Sequence, residues 1–319
     1  MFNALSPWLS SPWFLTAVGF VFLWLGAEAL IRGSSRLAEG YGISPLLVGL
    51  TVVAFGTSLP ELGVCLIAAY REHTDFAVGN IVGSNIANIG LIIGLSAILK
   101  RIRVRELHLR IDLNWALAAA VIIGLWSWTS GSINHIHGLI MLGLFLVYLI
   151  QLIRRERAKS MGPAVARVEM TGKQRIVEAL FVLLGLILLP LGAHFLIEGA
   201  TELAQRFGVS ELVIGLTLLA VGTSLPELAT GIVGVMRGQG ALVLGNVIGS
   251  NIFNVFLVLG VTATVINLPI DPAARNFSIP AMILFSFGFM AICWQGKRIS
   301  NLEGFFLLLA YGIYVWMLF

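Results

Sequence analysis

Two glutamates, Glu61 and Glu227, stand deep inside long apolar stretches, and each follows the same five residues, GTSLP. A carboxylate at membrane depth costs roughly 2.5–3.5 kcal/mol on insertion scales and persists where an ion, a proton or water offsets the penalty. Proline lacks an N–H and clashes with the carbonyl four residues back, so Pro60 and Pro226 free the carbonyls of Gly56 and Gly222 or their neighbours. Thr57 and Ser58 lie four and three residues before Glu61, so their hydroxyls share its helix face; Thr223 and Ser224 do the same for Glu227. Ala54, two turns back from Glu61, could add a carbonyl. Irregular backbone at such depth is tolerated where it lines a cavity or coordinates ions.

A second motif reinforces the first. Ser84 and Asn88 are spaced i,i+4, as are Ser250 and Asn254, so each pair lines one helix face. The nearby glycines Gly79, Gly83, Gly245 and Gly249 read as a small-residue packing seam. Together the motifs offer two carboxylates, hydroxyls, side-chain amides and backbone carbonyls. An all-oxygen set of this kind suits Ca²⁺, which takes 6–8 oxygens in flexible geometry, and also Na⁺. It does not suit zinc or copper, which prefer nitrogen and sulfur. No zinc spacing or Ser/Lys dyad stands out, and reversible ion binding needs no covalent step. Neither an enzyme nor a bound cofactor is expected.

The elements that must hold these groups follow from composition. The chain has 319 residues, 58% hydrophobic and 11% charged, against about 25% charged in soluble domains. The apolar residues form ten blocks, at 13–33, 43–70, 76–99, 113–128, 136–153, 176–199, 209–236, 242–267, 277–294 and 304–319. Their lengths fit helices crossing a hydrocarbon core, and they lack the alternation of barrel strands. The fold class expected is an all-α membrane protein with ten transmembrane helices in two inverted five-helix repeats. The repeat is read from the chain itself. GAEALIRGSSRLAEGYGIS at Gly26 matches GAHFLIEGATELAQRFGVS at Gly192, an offset of 166 (192 − 26). The same offset joins GLTVVAFGTSLPEL to GLTLLAVGTSLPEL and GNIVGSNIAN to GNVIGSNIFN. Five spans per half is odd, so the second half enters the membrane from the opposite side, as in many secondary transporters. The halves are residues 1–153 and 176–319, with repeat motifs at 49–91 and 215–257. A basic cytoplasmic linker, 154–175, joins them.

Charge orients the chain. With the N-terminus outside, seventeen of the twenty Lys and Arg residues fall in cytoplasmic loops, leaving only Arg71, Arg206 and Arg275 outside. Both termini are therefore expected outside a plasma (inner) membrane. The net charge of +4 reflects these loops and is not a nucleic-acid signal. The partners expected are membrane lipid and the transported cations, with a single chain functional as a monomer. Cys65 and Cys293 read as small buried hydrophobes. Glu28, with His194 and Glu198, reads as interhelical or snorkelling groups near the membrane edge. His135 and His137 read as solvated, and KRIRVRELHLR (100–110) as a topology signal touching lipid headgroups.

The paired GTSLPE and GNxxGSN motifs resemble the repeats of the calcium/cation antiporter superfamily, in its bacterial and archaeal sodium/calcium exchanger-like branch, over nearly the whole chain. The resemblance implies four central sites and alternating access by sliding of the first and sixth helices. By motif position it implies the ion ligands Glu61, Ser58, Thr57, Ala54, Ser84 and Asn88, with Glu227, Ser224, Thr223, Ala220, Ser250 and Asn254. Several members carry Asp where this chain has Asn254, which leaves two site carboxylates and opens the choice of Na⁺ or H⁺ as driving ion. Exchange of Ca²⁺ for Na⁺ is the function expected, with Ca²⁺/H⁺ antiport and a cation channel as the alternatives.

Overall fold

The computed structural model describes residues 11–70, 74–104, 109–160, 168–208, 222–296 and 298–318. Ten helical runs fill them. They are α1 (Pro12–Tyr41), α2 (Pro45–Tyr70), α3 (Ala77–Leu99), α4 (Leu109–Thr129), α5 (His135–Ser160), α6 (Gly172–Arg206), α7 (Leu225–Met236), α8 (Gly240–Val265), α9 (Ala274–Gln295) and α10 (Asn301–Trp316). Among the described residues eight are long and apolar enough to cross a membrane, while α7 and α10 are shorter apolar helices. Residues 209–221, the first part of the expected seventh block, lie outside the described residues.

Local signals set the helix starts. Ser11 and Ser44 accept from the amides of Phe14 and Leu47, each followed at once by a proline in the first turn. Thr171 with Gln174 and Ser300 with Glu303 close capping boxes on α6 and α10. Gly42 ends α1 at φ 65°, a left-handed conformation glycine adopts without strain. The 30 residues of α1 and 35 of α6 overrun the apolar blocks at 13–33 and 176–199. The cause is that hydropathy marks only the stretch in hydrocarbon, about 20 residues, whereas helical hydrogen bonding continues through polar residues to the next cap.

α3 and α8 form the centre. Their apolar windows are 78% and 94% buried, against 22–39% for α1, α4, α5, α6 and α9. Ile81, Ile86 and Ile92 of α3 and Val247, Ile252 and Phe256 of α8 are wholly buried. α1 and α6 lie side by side and antiparallel. Gly19, Gly26 and Gly33 face Leu196, Leu189 and Val182, and Gly185, Gly192 and Gly199 face Leu30, Leu23 and Thr16. The glycines recur every seven residues, and a Cβ at Gly192 would lie 2.7 Å from the Leu23 amide nitrogen.

Four two-residue strands were not foreseen. β1 (Ile102–Arg103) pairs antiparallel with β4 (Arg298–Ile299), and β2 (Ser132–Ile133) with β3 (Leu268–Pro269). Each ladder staples a loop from before residue 154 to one from after residue 176. They are too short for a hydrophobic-pattern reading to register.

Candidate cation site

α2 is not one helix. It is α-helical over Pro45–Val48, π-helical over Gly49–Val53 and α-helical again over Ala54–Thr57. It then breaks at Ser58, with φ −87° and ψ 1°, before restarting at Leu59. Ser224 has nearly the same conformation, φ −88° and ψ 3°, and α7 restarts at Leu225. Pro60 and Pro226 fall in the first turn of the restarted helices, where their missing N–H is not needed. The breaks therefore lie two residues before the prolines, and Glu61 and Glu227 stand in the opening turns of the restarted segments. Two further π-helical segments begin at or beside the predicted amides, Asn88–Ile93 in α3 and Phe253–Leu259 in α8. Such segments recur at functional sites.

Glu61 and Glu227 are fully buried, at 0% exposure, and interact electrostatically with each other. Glu61 lies against Thr223, and Glu227 against Thr57 and Ser58, without a hydrogen bond of normal geometry to any of them. Among the described residues, both oxygens of each glutamate lack a hydrogen-bond partner of normal geometry. So do the hydroxyls of Ser58, Ser84, Ser224 and Ser250 and the side-chain carbonyl oxygens of Asn88 and Asn254. Buried polar groups are almost always paired. Here unpaired oxygens come from both GTSLPE motifs, from both GNxxGSN motifs and from Asn88 and Asn254 three residues past the latter, and eight of the twelve residues expected as ligands supply them. The remaining buried side-chain oxygens without a partner, such as those of Ser34, Ser96 and Tyr148, come from neither motif.

The other expected ligands are engaged. The Thr57 hydroxyl bonds the Val53 carbonyl at 3.1 Å and Asn246 Oδ1 at 3.2 Å, and that of Thr223 bonds Asn80 Oδ1 at 3.3 Å. The Ala54 carbonyl accepts the Ser58 amide at 3.0 Å and the Thr57 hydroxyl at 3.4 Å. Ala220 lies outside the described residues. Gly245 and Gly249 do pack against backbone, that of Leu46, Gly49 and Leu50 in α2. The equivalents of that stretch for Gly79 and Gly83 fall within 209–221, outside the described residues.

Five residues that sequence reasoning passed over join the site. Asn246 donates to the Thr230 hydroxyl at 3.1 Å, and Asn80 to Cys65 Sγ at 3.8 Å. Asn85 and Asn251 bond each other's main chain and hold the amides of Asn254 and Asn88. All four asparagines stood in the repeated GNxxGSN motifs. An i,i+4 reading of one helix face selected only Ser84 with Asn88 and Ser250 with Asn254. Thr230 has no equivalent, because Val64 stands 166 residues before it.

The sodium/calcium exchanger family model matches residues 11–154 and 177–319, which is nearly all of the chain. The chain belongs to the sodium/calcium exchanger family. It is 37% identical to the inner membrane protein YrbG of Escherichia coli over 309 residues, 95% of this chain and 94% of that one. It is 30% identical to the sodium/calcium exchanger MaX1 of Methanosarcina acetivorans over 95% of this chain and 97% of MaX1. Among solved structures, the sodium-calcium exchanger NCX_Mj superposes with a TM-score of 0.84 at 30% identity, covering 95% of this chain and 97% of the other. Membership of this exchanger family makes the chain a membrane transporter, with cations as its cargo.

Outside the centre, Glu28 of α1 pairs with Arg237, and His194 lies 3.6 Å from Glu198 on the same helix. Of the two histidines read as solvated, His135 is exposed as expected, while His137 is partly buried. His137 stacks on Trp126 at 4.3 Å between ring centroids, and His135 Nδ1 sits 3.1 Å from the Thr264 carbonyl. β2 and β3 draw their loops together, which brings His135 to the Thr264 carbonyl. Cys65 and Cys293 are free and buried.

Proposed function

We propose that the chain is a secondary antiporter that exchanges Ca²⁺ for a monovalent cation at one central site alternately open to each side. The observation that carries this reading is the set of buried, unpartnered oxygens on Glu61, Glu227, Ser58, Ser224, Ser84, Ser250, Asn88 and Asn254. Unpaired buried oxygens are costly unless a cation takes them up, and the set is large enough to supply the 6–8 oxygens that Ca²⁺ takes. Thr57, Thr223, Ala54 and Ala220 complete the proposed ligand set. The Thr57 and Thr223 hydroxyls act as donors in the bonds described, so their oxygen lone pairs stay available.

The architecture proposed is ten spans in two inverted halves, 1–153 and 176–319, joined by 154–175. Three observations support it. The equivalent helices α1 and α6 run antiparallel. Ser58 and Ser224 share one conformation 166 residues apart. The offset carries β1 onto β3 (268 − 102) and β2 onto β4 (298 − 132). Both termini are placed outside, on the positive-inside rule.

Asn254 favours a second reading of the counter-ion. Two carboxylates balance one Ca²⁺ or two protons, so Ca²⁺/H⁺ exchange fits the same site, and the names of the relatives support Na⁺. Ca²⁺ uptake into proteoliposomes under a Na⁺ gradient alone and a pH gradient alone separates them. Uptake with Na⁺ alone supports Na⁺/Ca²⁺ exchange, and uptake with pH alone supports Ca²⁺/H⁺ exchange. Ca²⁺ flux that needs no counter-ion would replace antiport with a channel, and no Ca²⁺ uptake at all would remove Ca²⁺ as substrate.

A further inference from the structure

Asn85 in α3 and Asn251 in α8 are equivalent positions (251 − 85 = 166) and are locked to each other. The Nδ2 of Asn85 donates to the Asn251 carbonyl at 3.2 Å, and the Nδ2 of Asn251 donates to the Asn85 carbonyl at 3.3 Å. A main-chain carbonyl only accepts, so the nitrogen end of each amide must face it. The oxygen ends are thereby turned the other way. Asn251 Oδ1 accepts from Asn88 Nδ2 at 2.9 Å, and Asn85 Oδ1 accepts from Asn254 Nδ2 at 3.1 Å. All four side chains are at most 3% exposed, so water does not relax the pattern.

The lock has two consequences for positions 88 and 254. Each must present a donor to the lock, and each amide then has its oxygen left over, which is the unpartnered Oδ1 of both residues. A carboxylate at 254 would set oxygen against Asn85 Oδ1 in a buried place. If Asn85 turned over to meet it, its own oxygen would oppose the Asn251 carbonyl. Leaving either acceptor unsatisfied is penalised strongly in a buried network.

We propose that Asn85 and Asn251 are positioning residues that hold the amides of Asn88 and Asn254 with their oxygens toward the ion and exclude a carboxylate from either position. The fixed charge of the centre is then that of Glu61 and Glu227 alone. Such a centre is neutralised by one divalent cation or two monovalent ones, and this sets how many charges each half-cycle carries. The inference deepens the antiporter reading and rests on it.

The test is a double-mutant cycle on the purified full-length chain, titrated with Ca²⁺ and with Na⁺ and read as thermal stabilisation. Asn254→Asp in the wild-type background should weaken Ca²⁺ at least tenfold despite the added negative charge. In the Asn85→Ala background, where no acceptor opposes the new carboxylate, the same change should cost less than threefold. Asn85→Ser, which keeps a donor for the Asn251 carbonyl, repeats the cycle should the alanine variant fold poorly. Asn85→Ala alone should alter the Ca²⁺-to-Na⁺ affinity ratio at least fivefold, whereas a merely structural loss would lower the melting temperature and leave the ratio unchanged. Equal costs of Asn254→Asp in both backgrounds, or tighter Ca²⁺ binding by that variant in the wild-type background, overturns the proposal. Stabilisation of wild type by another cation but not by Ca²⁺ removes the calcium assignment and leaves the cycle to be decided with that cation. Stabilisation by none overturns both.

Discussion

Arg237, just past the end of α7, donates from Nε to Glu28 Oε2 at 3.0 Å, and a second guanidinium nitrogen reaches Glu28 Oε1, which ties α7 to α1 in a two-pronged ion pair. The pair overlooks a cavity of about 670 Å³ flanked also by Arg32, Glu39, Glu178 and Gln239. Its arginine side chain is 60% exposed, so it adds at most about 1 kcal/mol to stability. Its effect is expected in kinetics. Glu28→Gln should change the Ca²⁺ exchange rate severalfold with little change in melting temperature, and the double variant with Arg237→Gln should be no worse than the single. Exchange rates of the two singles and the double, measured in vesicles, check this; additive losses would mean that the two side chains act separately.

Glu61→Gln and Glu227→Gln keep side-chain size and remove one of the two charges each. Each is expected to abolish Ca²⁺ exchange, with Ca²⁺ binding weakened by at least about tenfold because affinity follows ligand charge. The proteins should remain folded, since neither carboxylate makes a hydrogen bond of normal geometry to a neighbour. Radiolabelled Ca²⁺ flux beside size-exclusion profiles tests both halves of the statement. Normal flux in either variant would remove that glutamate from the site.

Asp112 at the start of α4 is 1% exposed and accepts from Arg155 Nη2 at 2.6 Å. Removing one partner of a fully buried ion pair costs about 3–5 kcal/mol, and the 16% exposure of the Arg155 side chain makes that the upper bound here. Asp112→Ala should therefore lower the unfolding midpoint in detergent by more than any of the site substitutions. The affinity for cations in the fraction that stays folded should be unchanged.

The α1–α6 seam has no room for a methyl group. A Cβ at Gly26 would lie 3.0 Å from Leu188 Cβ, and one at Gly33 would lie 2.6 Å from the Glu178 carbonyl. Overpacking of this kind costs about 1–3 kcal/mol. Gly26→Ala and Gly33→Ala are expected to lower thermal stability and slow exchange, whereas Gly143→Ala on α5, with nothing within 4 Å among the described residues, should do neither. Melting curves and flux for the three variants decide it.

Much of the centre could be read from the residues because it is written twice. The two GTSLPE motifs located both helix breaks, and the i,i+4 spacing of Ser84 with Asn88 picked out side chains whose oxygens are left free. What escaped was whatever depends on the pairing of helices distant in sequence. Asn85 and Asn251 carry the same letters as Asn88 and Asn254 beside them, and only the juxtaposition of α3 with α8 separates an amide whose oxygen is left unpartnered from one that holds another amide in place. The β1–β4 and β2–β3 ladders escaped for the same reason, as did the stacking of His137 on Trp126. α1 and α6 run past their apolar blocks because hydropathy reports immersion in hydrocarbon and not the reach of a helix.

The glycine seam joins α1 and α6 along their backbones, while their opposite flanks, from Trp13, Phe20 and Trp24 to Leu180, Leu183 and Ile187, are exposed on the outside of the bundle. If this pair is the sliding part, its outer flank, exposed among the described residues, must push acyl chains aside. Viscous drag from the lipid would then enter the cycle time beside ion binding, and a stiff, sterol-like or gel-phase bilayer would brake the exchanger without touching its ligands.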